Sequence, residues 1–211
     1  MIRVKRKGLH TPGLFRRMLD AFEGRGQMLV RGPAQWPLLL LSYPANQPHI
    51  AEEIQEAWLH TLPPLKADVA AAYRNMLTRL PAMVVVVLRP HNVCTCLGHH
   101  HPRGTESRLA KRLASDMGSD VGEIDLAWEA IRNWRPQPLS SLAAGDAFEA
   151  LHFRVALLGV MLHEFEHLAY PDHNESAVRR ASDTFYSAVM DELLSQDGIS
   201  HFGMNARSAT P

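Results

Sequence analysis

The sequence predicts an α+β fold, with a small sheet built early in the chain and helices after it, one of them long and one C-terminal. Three observations carry that expectation. Two short apolar runs, PLLLL within 37–41 and MVVVVL at 83–88, have the length and aliphatic character of buried strands. Apolar residues at helical spacing fill the stretches between and after them. No proline interrupts residues 146–170, so one helix can run unbroken through them.

The elements follow in order. QWPLLLLSYP at 35–44 reads as a strand bounded by prolines. Residues 50–62 read as a helix with Ile50, Ile54, Trp58 and Leu62 on one stripe, stopped by Pro63 and Pro64. A second helix is expected over 66–79, ending before Pro81. MVVVVL is apolar on both faces, which predicts a central strand. RPHNVCTCLGHHHPRG at 89–104 reads as a loop, with proline and glycine at both ends. Helices are expected at 105–117 and at 122–133, the latter from Ile124, Ala127, Trp128 and Ile131 at helical spacing. RPQPLSS at 135–141 is a linker. The long helix should start near Ala144–Asp146 and run to Tyr170, where Pro171 ends it. A last helix is expected over 175–195, and 199–211 reads as a loose polar tail.

At 211 residues and 46% hydrophobic, the chain has the size and apolar content of one globular domain, 1–211. Lys+Arg and Asp+Glu balance at 22 each, so net charge selects no partner. The distribution is uneven: residues 1–32 hold eight Lys and Arg against Asp20 and Glu23, a segment that could contact nucleic acid or serve as a solvated face. No apolar run reaches the roughly 20 residues that span a bilayer, which predicts no membrane partner. Cys94 and Cys96, one residue apart, are too close for a fold-stapling disulfide, and the expected setting is cytoplasmic and reducing.

Chemistry concentrates in VMLHEFEHLAYPDH at 160–173. On a helix, His163 and His167 are four apart and project from one face, as two imidazoles must to reach one metal ion. Glu164 is rotated by about 100° from His163, beside the metal, where it can accept a proton from water. A catalytic zinc needs a third protein ligand. His173, just past Pro171, ranks first because the chain can turn back there. Asp183 on the next helix ranks second, its alternative role a salt bridge to Arg179 or Arg180. Glu175 and Asp172 rank lower, and Glu166 should face solvent.

The spacing HExxHxxxxxH resembles the zincin metallopeptidases. Metzincins have HExxHxxGxxH, and Tyr170 stands here at their glycine; GMN at 203–205 is similar to their methionine turn. HLAYPDHNESA resembles the HLxxxxH-polar segment of the WLM and YgjP-like families, with SprT-like proteins more distant. ASDTF at 181–185 is similar to a stretch of ImmA/IrrE-type peptidases, with Ala181 at their glutamate. The resemblance implies a zincin-like fold and one Zn2+ per chain held by His163, His167 and His173. It implies peptide-bond hydrolysis of a peptide or protein substrate through zinc-activated water, with Glu164 as general base and Tyr170 or Tyr186 stabilising the oxyanion. Two alternatives stay open: a zincin-fold hydrolase acting on a non-peptide substrate, and a zinc-stabilised, nucleic-acid-associated regulator without catalysis. Separately, CTCLGHHH at 94–101 offers a second candidate metal site from Cys94, Cys96 and His99.

Overall fold

A computed structural model describes residues 25–32, 36–60, 67–90, 96–134 and 146–194. The basic segment before residue 25, Leu62, Cys94, the 135–141 linker and the 199–211 tail lie outside the described residues.

Among the described residues, five strands form one mixed sheet of order β1-β2-β3-β5-β4. β1 (Arg25–Arg31) pairs antiparallel with β2 (Leu38–Pro44), which runs parallel to β3 (Met83–Arg89). β3 runs parallel to β5 (Val121–Ala127), and β4 (Gly98–His100) closes the order antiparallel to β5. β3 is central, as a strand apolar on both faces has to be; Met83–Leu88 are at most 7% exposed.

Strand alternation divides the core into two layers. Leu39, Leu41, Val84, Val86, Ile124 and Leu126 face α1 (Pro48–His60), α2 (Ala67–Arg79), α5 (Asp146–Ala169) and α6 (Glu175–Leu194). Leu38, Leu40, Val85, Val87 and Val121 face α3 (Arg108–Met117) through Leu109, Ala110 and Leu113. The expected stripe of α1 is present: Ile50, Ile54 and Trp58 are buried. The N-terminus of α3 is capped by Ser107, whose Oγ accepts from Ala110 N, and Gly118 closes it in the left-handed region at φ 60°.

Two sequence expectations are corrected. The loop assigned to 89–104 contains β4, and the histidine triplet therefore alternates between faces of the sheet. The helix assigned to 122–133 is instead β5 followed by the short α4 (Trp128–Asn133). Its helical spacing was misleading because Gly122, Ile124 and Leu126 lie on one face and Glu123 and Asp125 on the other, a period of two.

α5 is apolar nearly all round, from Phe153 to Phe165, because it packs between the sheet, α1 and α6. It ends at Ala169 as Pro171 requires. Tyr170 N still bonds Glu166 O at 2.9 Å, and His173 N then bonds Tyr170 O at 2.9 Å to make a turn. Asn174 caps the next helix, its Oδ1 accepting from Ala177 N at 3.0 Å. This tight reversal lays α6 back on α5.

Candidate metal centre

α5 brings the imidazoles of His163 and His167 to 5.1 Å between centroids, as the four-residue spacing demands. The reversal at 170–174 then sets Glu175, in the first turn of α6, against them. Its Oε1 lies 3.6 Å from His163 Nε2 and its Oε2 lies 3.2 Å from His167 Nε2. The three residues offer ligand atoms within 4.8 Å of one another. Two imidazoles and one carboxylate are a donor set that fits a zinc ion.

The charge states suit that role. His167 is held below its ordinary pKa by burial first and by His100 next, which favours the neutral, ligating imidazole. Glu175 is held below the usual carboxylate range, chiefly by the hydrogen bond from Arg179 Nε at 2.8 Å. Its position at a helix N-terminus favours the negative charge further.

His163 is oriented from behind. Its Nδ1 lies 2.9 Å from Ser182 Oγ, and that hydroxyl donates to Val178 O at 2.6 Å. With its proton committed to the carbonyl, the Ser182 oxygen accepts from His163 Nδ1–H. With Nδ1 held as the donor, Nε2 is the nitrogen turned to the side of Glu175, where it would bind a metal.

The edge strand supplies the opposite wall. Register pairs His100 with Ile124, so His100 points to the α5 face. Its ring stacks on His167 at 4.4 Å, and its Nδ1 lies 3.6 Å from Glu164 Oε2. Glu164 is 5% exposed. His100, Glu164 and His167 form another group of candidate ligands that shares His167. An ion held by His163, His167 and Glu175 would leave His100 and Glu164 beside it. Strand and helix approach closely because residue 98 is glycine: a Cβ there would meet Glu164 Oε1 at 2.5 Å and Val160 Cγ1 at 2.8 Å.

A cavity of about 910 Å³ opens over these groups, lined among others by Gly98, His100, Glu164, Ser182, Asp183 and Tyr186. The Tyr186 hydroxyl is buried and finds no hydrogen-bond partner among the described residues. Burial pushes its pKa up to about 12, so the phenol keeps its proton.

The remaining sequence candidates do not join His163, His167 and Glu175, although Cys96, His99 and Asp183 line the cavity. His173 does not join the group with His163 and His167; its ring stacks on Tyr170 at 4.7 Å and its Nδ1 lies 3.2 Å from Glu166 Oε1. Glu166 is thus engaged and only 12% exposed in its side chain, not solvent-facing. Asp183 is exposed and lines the cavity, but Arg179, one of its expected partners, is bonded to Glu175. Tyr170 is not among the cavity-lining residues; its ring carries the guanidinium of Arg79 at 4.7 Å. Cys96 is disulfide-bonded, so it offers no thiolate to a metal. His99 is exposed and joins no ligand group among the described residues. The residues that sequence reasoning missed are His100, Gly98 and Ser182; Glu175, ranked below His173, is the one the fold brings to His163 and His167. The triplet His99–His101 was the available signal, had it been read as a strand.

No helix among the described residues is long and apolar enough to cross a membrane. Compared with family models, curated proteins and solved structures, the chain matches none of them.

Proposed function

We propose that the protein is a zinc-dependent metallopeptidase, with His163, His167 and Glu175 as the residues that hold zinc and Glu164 as the general base. The observation that carries this reading is the convergence of the three ligand atoms within 4.8 Å, with a buried carboxylate next to them in one cavity. A purely structural ion does not need that carboxylate. When bound, zinc supplies Lewis acidity toward a carbonyl and toward water.

The chain's own groups divide the remaining work. Glu164 accepts the proton of the attacking water and returns it to the leaving amide nitrogen. His100 Nδ1, 3.6 Å from Glu164 Oε2, holds that carboxylate on the cavity side. Tyr186, protonated and without a partner among the described residues, donates to the oxygen on which negative charge develops. A peptide substrate is favoured over other acyl compounds by β4. It is last in the strand order and pairs only with β5 among the described strands, so an extended chain can add along its outer edge beside the cavity.

The test is digestion of an unstructured peptide library by zinc-loaded wild type and by Glu164→Gln, read by mass spectrometry with zinc content measured in parallel. The expected result is cleavage by the wild type and a rate lower by about 100- to 10,000-fold in the variant at equal zinc content. Equal cleavage by both would overturn the assignment of Glu164, and cleavage by neither would overturn the peptidase reading.

A further inference from the structure

The histidine triplet serves both faces of the sheet. While His100 points toward α5, His101 lies opposite Glu123 on β5, its N donating to Glu123 O at 3.0 Å, and shares the α3 face with Glu123 and Asp125. These three side chains offer ligand atoms within 4.8 Å of one another. Glu123 is 1% exposed and Asp125 8% exposed, and the Glu123 carboxylate sits at the N-terminus of α3. Glu123 Oε2 accepts from Ser107 N at 2.5 Å. Asp125 Oδ2 lies 3.1 Å from Arg89 Nε and 3.5 Å from His101 Nε2.

What the cluster leaves unmatched is specific. Asp125 Oδ1 and His101 Nε2 are both buried and have no hydrogen-bond partner among the described residues. Arg89 offsets one of the two carboxylate charges, and its side chain is 46% exposed. Arg25 also interacts with Asp125, and Glu123 accepts from the backbone N–H of Ser107. Asp125 Oδ1 and His101 Nε2 still stay unmatched among the described residues, and leaving buried polar atoms unmatched is costly unless they coordinate a metal. One imidazole nitrogen and two carboxylate oxygens are a donor set for a divalent transition ion, either zinc or manganese.

We infer that His101, Glu123 and Asp125 form a second divalent-metal site, on the face of β5 opposite the HExxH centre. An ion there ties the edge strand β4 to β5 and to the start of α3. It thereby fixes the strand that carries His100 and Gly98 against α5. The site does not depend on the peptidase reading, since none of its three residues belongs to the first centre.

The test isolates the second site in the full chain by removing the first. His163→Ala/His167→Ala is equilibrated with Zn2+ or with Mn2+, and bound metal per chain and melting temperature are measured. The expected result is about one ion per chain with a raised melting temperature, both lost on adding Glu123→Gln or Asp125→Asn. Should those buried substitutions prevent folding, His101→Gln, at a partly exposed position, is read the same way. An ion that survives all three substitutions, or no ion in the double variant with either metal, would overturn the proposal. The second outcome would make the cluster a hydrogen-bonded ion-pair group only.

Discussion

The imidazole of His100 stacks on that of His167, with ring centroids 4.4 Å apart and planes 16° from parallel. One ring stands on a three-residue edge strand and the other on the long helix α5, so this contact sets how closely sheet and helix approach at the candidate centre. It also contributes to keeping His167 neutral, because a charged His100 beside it disfavours a second imidazolium.

The glycine that permits this approach should be intolerant of a single methyl group. Gly98→Ala places its Cβ within 3 Å of Glu164 Cγ and Oε1 and of Val160 Cγ1. The side chain of Glu164 must move, or β4 must separate from α5. The expected outcome is a folded protein destabilised by about 1–3 kcal/mol, with peptide hydrolysis reduced far more than zinc binding. Melting temperature, zinc content and turnover, measured on the same preparation, check this.

Ser182 should act through His163. Ser182→Ala removes the acceptor for Nδ1–H and frees the imidazole to rotate and change tautomer. Zinc affinity is expected to fall by about 10- to 100-fold, the usual effect of losing a hydrogen-bond partner behind a metal-ligating histidine. A competition titration against a chelator measures it, and Ser182→Thr, which keeps the hydroxyl, should restore most of the affinity.

The third ligand is open to a direct comparison. Glu175→Gln keeps shape but removes the charge facing both Nε2 atoms, and should lose zinc from the HExxH centre. His173→Ala should keep it, because His173 is committed to Glu166 and Tyr170. Asp183→Ala should also retain zinc. Loss from His173→Ala with retention in Glu175→Gln would reverse the assignment.

Stability of the metal-free protein should depend on pH through the same residues. The folded pKa of His167 lies below its unfolded value of 6.5, so between the two values the unfolded chain binds more protons. Stability therefore rises with pH through that window, and is lost as the pH falls below 6.5. Glu175, depressed below 4.5, adds a contribution that is present above 4.5 and lost as the pH falls further. Since Glu175 is half exposed, its share is small. The melting temperature of the apo form should decline between about pH 7 and about pH 5, and His167→Phe should flatten that decline.

The parts of the site that could be read from the sequence are those set by local geometry. The four-residue spacing on an uninterrupted helix was enough to bring His163 and His167 together and to put Glu164 beside them. Glu175 was harder, because its place depends on the turn from Tyr170 to Asn174, and a preference for a third histidine favoured His173. His100 and Gly98 depend on strand pairing: proline and glycine at both ends of 89–104 suggested a loop, and β4 is only three residues long. β5 was misread because Ile124, Ala127, Trp128 and Ile131 fall at helical spacing across the junction between a strand and a short helix, while Glu123 and Asp125, on the other face, are buried. The sheet's centre was plain from MVVVVL, a run with no polar face to offer water.

The central claim is that the HExxH helix holds a metal ion, and the most direct measurement is zinc per chain in untagged wild type and in His163→Ala. The account predicts one zinc fewer per chain in the variant, with the fold retained by circular dichroism. Equal zinc content in the two proteins would contradict it, and would leave His163, Glu164 and His167 without the chemistry assigned to them.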